Sequence, residues 1–297
     1  SVCMLYNFLK LRQEYKLTLV CVHFNHGLRP EADQEEDFVK QMCRELKVKY
    51  ISEKKNVKDF FQGDSLEQTA RNLRYDFFLK VFRQTKIKKL ALAHHKDDLV
   101  ETVLMRLIRG AGLKGLRGFL PKSRYRGLTV IRPLIEMRKE DVITWLKKAK
   151  IPYHTDRSNF EDTFFRNKIR LKLLPLLQDL NPNIVESLYN IICGLSLDYD
   201  FIYAESRRLF RSLKRRQGQK AVALDIEGLK SLHPGMFNNV IRIAIEELKG
   251  DTRKIESRHL EEIRDLIFCR PRDSVVHLPT LAVKKEERFL TIQSLIL

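Results

Sequence analysis

Residues 91–112 have the sequence ALAHHKDDLVETVLMRLIRGAG, and this stretch decides the fold and the position of the candidate site. The apolar residues that lead into it, KKLALAH (88–94), are typical of a buried β-strand. A helix is predicted to begin at about Lys96, so that Asp98 and Glu101 stand three residues apart on one helical face. The sequence therefore predicts two neighbouring carboxylates where a strand ends and a helix begins.

Two acids on one helical face have several possible roles. They can hold a magnesium ion, for which Asp97 is a further candidate ligand, or they can hold the ammonium group of a substrate. Alternatively, the acids only interact favourably with the positive end of the helix dipole, and His94 is a hydrogen-bonded core residue. A zinc site is disfavoured because HHxDDxxE lacks the helical spacing of metalloprotease histidines.

The order of the predicted elements indicates an α/β fold with a parallel sheet and helices on both faces. The strands LTLVCVHF (17–24), VKYISEK (48–54) and KKLALAH (88–94) alternate with helices and lack an apolar–polar alternation. Ligands of such sheets bind beyond the carboxyl ends of the strands. HFNHGLR (23–29) and HHKDD (94–98) both follow strand ends, which predicts one shared crevice.

The chain is strongly basic, with 56 Lys+Arg against 38 Asp+Glu and a formal net charge of +18 over 297 residues. This charge predicts attraction to a polyanion, with nucleic acid the first candidate and an anionic membrane surface the second. A generally basic surface that maintains solubility is the alternative. No apolar run approaches the roughly 20 residues of a membrane helix, and the first residues lack the features of a secretory signal.

The cysteines are scattered and never spaced as CxxC, which disfavours zinc ribbons and redox pairs. Idle thiols are typical of proteins in a reducing compartment, so a cytoplasmic location without a membrane anchor is expected. The five residues are Cys3, Cys21, Cys43, Cys193 and Cys269.

The C-terminal part is predicted to be a second, mainly helical domain. A loop and a basic helix end at Asn181-Pro182, and a long helix is predicted from Asn183 to about Gln217. The remainder is predicted to be helical with a hairpin-like close, SVVHLPTLAVKKEERFLTI (274–292). The domain boundary is therefore placed near Pro182, giving domains 1–182 and 183–297.

Three groups of arginines are candidates for phosphate contacts, because guanidinium groups match phosphate oxygens in pairs. In each group the alternative is a solvated, charged helix face. The groups are Arg71 with Arg74, then Arg166 with Arg170 in RNKIRLK, and finally Arg208, Arg211 and Arg215 with their basic neighbours.

Together these segments resemble the tRNA(Ile)-lysidine synthases, which are PP-loop (N-type) ATP pyrophosphatases with an adenine nucleotide alpha hydrolase-like fold. The resemblance covers roughly residues 1–185, and the motifs occur in the order and at about the spacings of the family. They are HFNHGLR (23–29), ARNLRY (70–75), AHHKDDLVETVLMRLIRGAGLKGLRG (93–118), RPL (132–134) and DRSNFEDTFFRNKIR (156–170).

The resemblance implies a specific reaction. Family members use ATP to adenylate the ring carbonyl of the wobble cytidine in tRNA(Ile) with a CAU anticodon. The side-chain amine of free L-lysine then displaces AMP and forms lysidine. ATP and Mg²⁺ are the implied cofactors, tRNA(Ile) and L-lysine are the implied partners, and a homodimer is one option for the oligomeric state.

The resemblance also implies roles for individual residues. Asp98 and Glu101 match the positions that bind lysine, Arg71 matches one near the phosphate, and His94 joins them as a catalytic candidate. The expected ATP-binding residues are Ser1, His23, Asn25 and His26. Arg109 and Arg117 match a flexible segment at the tRNA entrance, and further tRNA contacts are expected from Arg166, Arg170, Arg208, Arg211 and Arg215.

This chain departs from the family in one motif. The ATP-binding loop SGGxDS does not occur, and Ser1 stands where its last serine is expected. The chain is therefore expected to lack the first strand of the fold together with that loop, and as a fragment it is expected to be inactive if the loop is needed. Backbone N–H groups of this loop cradle phosphates in the family.

Several rival functions stay open. Other PP-loop enzymes that modify tRNA are one class, although thiolases of this group need cysteines, commonly as CxxC, and amidotransferase-linked synthetases need a glutaminase half. A non-catalytic, basic tRNA-binding protein is the second class. The third is a metal-dependent phosphoesterase with His94, His95, Asp97 and Asp98 as ligands.

Overall fold

Parallel strands and their crossover helices form the first part of the chain. The computed structural model describes residues 1–29, 31–61, 63, 65–154, 165–218 and 220–295. Residues 156–164 of the motif 156–170 therefore lie outside the described residues. The chain divides into two units, Ser1–Cys193 and Gly194–Leu297, and the helix Ile184–Leu213 includes residues of both. The boundary near Pro182 stays a prediction.

The first unit follows the predicted strand–helix alternation. A 3₁₀ turn (Val57–Phe60) precedes α3, and a π-helical turn (Ile169–Leu173) joins α7 to α8. The elements are α1 (Val2–Leu11), β1 (Val20–Asn25), α2 (Glu31–Glu45), β2 (Lys49–Lys54), α3 (Leu66–Thr85), β3 (Lys89–Ala91), α4 (Lys96–Ile108), α5 (Leu113–Leu116), β4 (Lys122–Tyr125), β5 (Leu128–Ile131), α6 (Lys139–Lys148), α7 (Phe165–Lys168), α8 (Leu174–Leu180) and α9 (Ile184–Leu213).

The described strands of this unit pair as two small sheets. β1 pairs in parallel with β2, with Val20 opposite Lys49. β3 pairs in parallel with β5, and β4 adds to β5 in the antiparallel direction. Because β3 and β5 run the same way, the residues that follow them meet at one edge of the sheet. The predicted parallel strands are confirmed.

Helices cover both faces of β1, as side-chain alternation along the strand demonstrates. Phe24 faces α3, where its ring lies 5.7 Å from that of Phe77. Asn25, the next residue, faces the other way and donates hydrogen bonds to Asp33 and Glu36 of α2. The prediction of helices on both faces is therefore confirmed.

The second unit contains helices packed on an antiparallel sheet. Its further elements are β6 (Lys214–Gln217), β7 (Ala221–Asp225), α10 (Ile226–Lys230), α11 (Pro234–Lys249), α12 (Ser257–Phe268), β8 (Val275–Leu278), β9 (Leu281–Lys285) and β10 (Phe289–Ser294). The strands are ordered β6-β7-β10-β9-β8. Leu224, Ile241, Ile263 and Leu290 are among the fully buried residues of its core.

The C-terminal elements agree in part with the predictions. The hairpin-like close is confirmed as β8, β9 and β10. The long helix, predicted to reach Gln217, ends at Leu213, and residues 214–217 instead pair with β7. No apolar helical period continues beyond Leu213 in KRRQGQ, so the backbone is free to satisfy its hydrogen bonds in a sheet.

The packing of the glycine-rich segment that follows α4 can be tested at Gly118. Gly118 has a positive φ of 65°, and a Cβ at this position would collide with Leu99 and lie 3.0 Å from Val103. We expect Gly118→Ala to lower the free energy of unfolding by about 1–3 kcal/mol, because backbone strain and overpacking of α4 add together.

Gly112→Ala is the matched control, since nothing lies within 4 Å of its Cβ position and its φ is −74°. Urea denaturation of both variants measures the difference. Equal stability of the two variants would contradict the packing described for Gly118.

Candidate active site

The start of α4 is organised by a reciprocal cap. His95 is the N-cap residue, and its Nδ1 accepts a hydrogen bond from the Asp98 N–H at 3.4 Å. The Asp98 carboxylate accepts in return from the His95 N–H at 3.0 Å. The two groups satisfy helix N–H donors that would otherwise lack partners. Asp98 therefore has a capping role at the helix dipole in addition to any role toward a ligand.

Glu101 is the most deeply buried acid of the described site. Its side chain is 2% exposed and forms a paired contact with Arg170, whose Nε and Nη2 lie 2.6 and 2.9 Å from the two carboxylate oxygens. Arg170 Nη2 also lies 3.6 Å from Asp98 Oδ1. Burial raises the pKa of Glu101, and the Arg170 guanidinium opposes that shift. The structure therefore brings Asp98, Glu101 and Arg170 into one cluster, which we call the acid recess.

His94 lies beside the recess and is held as a neutral imidazole. Burial lowers its pKa to about 4, and the nearby Arg132 guanidinium adds to that shift while Asp98 opposes it. Its Nδ1 accepts from Arg132 Nε at 3.3 Å, and its ring packs 4.8 Å from that of Phe119. Since Nδ1 is the acceptor, the proton of the neutral ring lies on Nε2, and His94 presents a hydrogen-bond donor there.

A second cluster contains only cations. Burial lowers the pKa of Arg74, and its neighbours Arg71 and Arg166 lower it further. Arg106 shows the same shift, with burial first and then the same two neighbours as causes. Arg132 is also buried and feels the charge of Arg71. Like charges held this close repel one another, so the cluster favours the binding of an anion.

We call this group the arginine cluster; its members are Arg71, Arg74, Arg106, Arg132 and Arg166. Arg166 joins the cluster to Thr102 of α4. Its Nη2 donates to Thr102 Oγ1 at 3.0 Å, and its Nε is buried without an acceptor among the described residues. A buried donor without a partner is costly, so a ligand acceptor at this point is favourable. Arg71, in contrast, stacks 4.7 Å from the ring of Tyr75 and donates to its hydroxyl.

The glycine-rich segment is attached to α4 through Arg106. Its Nη1 donates to the carbonyl oxygens of Gly115 and Gly118 at 2.8 and 2.7 Å. Arg109 lies 5.2 Å above the ring of Phe165, and Arg117 ends α5 as its C-cap residue. These contacts place the segment at the same side of α4 as Arg166.

Two of the predicted ATP-binding residues face α2. The Asn25 amide donates to Asp33 Oδ1 at 2.8 Å and to Glu36 Oε2 at 2.9 Å, and its oxygen accepts from the Gly27 N–H. His23 lies on the same face of β1, where burial lowers its pKa and Glu36 opposes the shift. These contacts join β1 to α2, so Asn25 fixes the end of the strand through its own side chain.

The other two predicted ATP-binding residues lie nearer to the strand ends. His26 follows β1 and packs against the ring of Phe24 with centroids 4.9 Å apart. Ser1 is the N-cap residue of α1. ATP binding by Ser1 and His26 stays a prediction.

Asp97, the predicted magnesium ligand, contacts α6. Its Oδ2 accepts from the Lys139 N–H at 2.8 Å, and its Oδ1 lies 3.3 Å from Arg138 Nε. Although burial acts in the opposite direction, the hydrogen bonds from His95 and Lys139 and the charge of Arg138 hold its pKa well below its usual range. Among the described residues, no three His, Cys, Asp or Glu side chains gather in a way that could hold a metal ion.

The predicted RNA-binding arginines of the second unit lie on its surface. Arg208 pairs with Glu205 at 2.8 Å, and Arg215 Nε lies 3.5 Å from Asp225. Arg211 is exposed on the last turn of α9. Two of these three arginines therefore have acidic neighbours. The net positive charge at this surface is smaller than the sequence alone indicates.

Arg106 and Arg132 had no role predicted from the sequence, although both belong to the arginine cluster. A signal for Arg132 exists, because it directly follows β5, which runs parallel to β3 and ends at the same edge. For Arg106 the only signal is its position on α4, five residues after Glu101. The π-helical turn that orients Arg170 has no signal in a single sequence.

Two family models match the chain. One, described as a PP-loop domain, matches residues 1–177. The other, described as a TilS substrate binding domain, matches residues 224–286. The chain belongs to the PP-loop family. The family resemblance inferred from the motifs is confirmed.

Curated relatives agree with this assignment. A tRNA(Ile)-lysidine synthase of Clostridioides difficile (strain 630) is 30% identical over 100% of this chain and 65% of its own length. One of Caldanaerobacter subterraneus subsp. tengcongensis is 32% identical over 94% of this chain and 59% of its own length. The chain thus spans less than two thirds of the length of these relatives.

A fold likeness extends to a more distant protein. The solved structure is that of the U34-tRNA thiolase NcsA from Methanococcus maripaludis with its 4Fe-4S cluster. It matches with a TM-score of 0.54 and 21% identity, over 66% of this chain and 68% of that chain.

Among the described parts of this chain, no helix is long and apolar enough to cross a membrane.

The environment of His94 predicts a pH dependence of stability. The native pKa is about 4, whereas an unfolded histidine titrates near 6.5. Between these values the unfolded chain binds one more proton, so the free energy of unfolding falls as the pH decreases from about 6.5 towards 4. We expect His94→Asn, which keeps an acceptor near Nδ1 but does not titrate, to lose less stability than the wild type over this range.

Urea denaturation of both proteins at pH 7.0 and 4.5 measures the effect. Parallel losses of stability in the two proteins would mean that His94 does not titrate as this environment requires.

Proposed function

We propose that the protein is an ATP-dependent ligase that joins L-lysine to the wobble cytidine of tRNA(Ile). The observation that carries the proposal is the acid recess of Asp98, Glu101 and Arg170 beside the arginine cluster, of which Arg132 is buried. A cationic substrate needs a negative site, and a nucleotide or RNA phosphate needs a positive one. The match to a TilS substrate binding domain and the relatives named tRNA(Ile)-lysidine synthase support this choice.

The first step in this proposal is activation of the base. The oxygen of the cytosine ring carbonyl attacks the α-phosphorus of ATP, and pyrophosphate leaves. Arg71, Arg74 and Arg166 supply positive charge where the phosphates carry negative charge, and the unsatisfied Arg166 Nε gains an acceptor. His94 contributes a neutral Nε2–H donor; its low pKa and occupied Nδ1 make it a poor general base at neutral pH.

The second step is transfer to lysine. Asp98 and Glu101 hold an ammonium group of the amino acid, and the neutral ε-amine attacks the ring carbon. A carbon–nitrogen bond forms, the bond from that carbon to the activated oxygen breaks, and AMP leaves with the oxygen. The amine must lose its proton because an ammonium group has no lone pair for the attack.

Other parts of the proposal rest on the resemblance alone. Magnesium accompanies ATP in this proposal, but Asp97 is engaged with α6 and is not needed as its ligand. Arg109, Arg117 and the arginines of the second unit are proposed tRNA contacts. A homodimer is one option for the assembly.

The release of pyrophosphate over many reaction cycles tests the proposed reaction. We expect sustained release only when tRNA(Ile), ATP and L-lysine are all present. Asp98→Asn and Glu101→Gln are expected to raise the KM for lysine on the order of 10–100-fold while tRNA affinity changes less than about threefold, because the lost charge faces the amine.

Asp76→Asn is the matched control, since it removes an exposed carboxylate of α3 that pairs with Arg126. Sustained release without lysine would favour a different PP-loop reaction. Loss of tRNA binding in parallel with lysine use would contradict the assignment of Asp98 and Glu101.

Binding of tRNA is expected to weaken steeply with salt, because phosphate contacts release counterions. For about six contacts the affinity falls roughly 10³-fold between 50 and 200 mM salt. Arg211→Gln is expected to reduce the slope of log affinity against log salt by about one unit.

Arg258→Gln, which removes an arginine outside the predicted set, serves as the control. Fluorescence anisotropy with labelled tRNA gives both slopes. A flat salt dependence of the wild type would argue against phosphate contacts as the source of affinity.

A further inference from the structure

Two exposed phenylalanines stand next to each other in the 3₁₀ turn that follows β2. Phe60 and Phe61 are 46% and 49% exposed, although phenylalanine is among the residues most often buried in folded proteins. Exposed apolar residues that occur singly need no explanation, whereas neighbouring ones are typical of interaction sites. The proposed reaction gives these two rings no role so far.

The backbone of the turn is fixed against the segment that follows β1. Val57 is fully buried, and its N–H donates to the carbonyl oxygen of His26 at 3.1 Å. Gly27 approaches so closely that a Cβ there would lie 3.0 Å from Asn56 Cα. The Asn56 amide donates to Asp59 Oδ1 at 2.9 Å within the turn. The two rings are therefore carried by a backbone that is ordered before any ligand arrives.

The position of the turn is one at which α/β proteins bind ligands. β1 and β2 are parallel, and the turn follows the carboxyl end of β2, while His26 follows the carboxyl end of β1. Ligands of parallel sheets bind beyond the carboxyl ends of the strands. Phe60 and Phe61 therefore stand at the ligand-binding edge of this pair of strands.

Lysine side chains accompany the rings. Lys55 Nζ lies 5.6 Å from the centroid of the Phe60 ring, and its ion pair with Glu53 at 3.0 Å holds the ammonium group there. Lys58 is exposed on the same turn. Proteins that bind single-stranded nucleic acid combine aromatic rings with positive charge, because every base has a π-face and every nucleotide has a phosphate. The turn offers both features.

We propose that Phe60 and Phe61 form a stacking surface for unpaired bases of the RNA substrate. The wobble cytidine of the proposed reaction lies in the anticodon loop, so the RNA segment that reaches the site exposes unpaired bases. Stacking on an aromatic ring tolerates every base, so the surface contributes affinity and orientation of the loop and does not select its sequence. The proposal rests on the proposed function and deepens it.

Two other occupants compete with the loop for these rings. A second copy of the chain would cover them in a dimer, and the adenine of ATP would stack on them in a nucleotide complex. Neither occupant makes the contribution of the rings depend on unpaired RNA bases. That dependence is therefore the quantity to measure.

Fluorescence anisotropy compares two labelled anticodon stem-loops of tRNA(Ile) at one salt concentration. The first has an intact loop. In the second, the loop nucleotides other than the wobble cytidine are abasic, so the phosphates stay and the stacking faces are lost. The variants are Phe60→Ala, Phe61→Ala, Phe60→Leu and Phe61→Leu, of which the leucine variants keep an apolar side chain without an aromatic face.

Tyr15→Ala is the matched control. Tyr15 is an aromatic residue of the same unit with 62% exposure, and it precedes β1, at the amino end of that strand. It therefore lies away from the ligand-binding edge to which Phe60 and Phe61 belong.

We expect each alanine variant to bind the intact loop roughly 5–150-fold more weakly than the wild type, which is the effect of losing one stacked base. The leucine variants lose most of the same affinity. The abasic loop binds the wild type weakly and differs by less than about twofold between the wild type and the alanine variants. Tyr15→Ala binds both loops as the wild type does.

Several outcomes would overturn the proposal. One is an unchanged affinity of the alanine variants for the intact loop, and another is an equal weakening of both loops. A wild-type dimer that dissociates in the alanine variants, measured by sedimentation, would assign the rings to a second copy. Weaker ATP binding with unchanged RNA binding would assign them to adenine. If the alanine variants do not fold, the leucine variants decide between the two loops.

The proposed function is judged by a separate measurement. Lysine-dependent release of pyrophosphate by the wild type, together with any of these outcomes, would reject the stacking surface and leave the proposed reaction in place. Normal stacking of the loop without lysine-dependent release would reject the reaction and leave the surface in place.

Discussion

The buried carboxylate of Glu101 is the constraint on which the candidate site depends. An ionised carboxylate that is almost fully removed from water is stable only when an opposite charge and hydrogen bonds replace its hydration. Arg170 supplies both, through two contacts of 2.6 and 2.9 Å. The pair joins α4 to the π-helical turn, and the apolar residues around Ile169 hold the two elements together. Removing Arg170 leaves the buried Glu101 carboxylate without this cation.

The second constraint is that a negatively charged site and a positively charged site lie only a few residues apart along α4. The acid recess lies at the first turns of the helix, where its dipole also favours negative charge. In the arginine cluster Arg166 donates to Thr102 of α4, and burial together with the charges of Arg71 and Arg166 lowers the pKa of Arg74 and of Arg106. A basic protein can thus present a negative site to an amine and a positive site to phosphates. That juxtaposition fits a reaction in which an amino acid meets an activated RNA base.

The sequence predicts positions best for residues whose neighbours are close in the chain. Asp98 and Glu101 come together because they are three apart on a helix whose start is marked by His95 and the preceding strand. Contacts with residues further away in the sequence had no such signal. Asn25 donates to Asp33 and Glu36 of α2, and Arg170 pairs with Glu101. The expected roles of Asn25 toward ATP and of Arg170 toward RNA stay predictions. The strand of residues 214–217 was missed because its partner β7 determines it.

The amino-acid sequence by itself determined the alternation of strands and helices from β1 to α4, the strand ends where polar residues collect, and the adjacency of the two acids. These features follow from periodicity, strand ends and helix geometry, which act over a few residues. Only the tertiary structure decided which cation meets Glu101, which arginines lie close to one another, and that Asp97 connects to α6. These depend on contacts between residues far apart in the chain, where burial and charge pairing determine the partner and no local pattern records it.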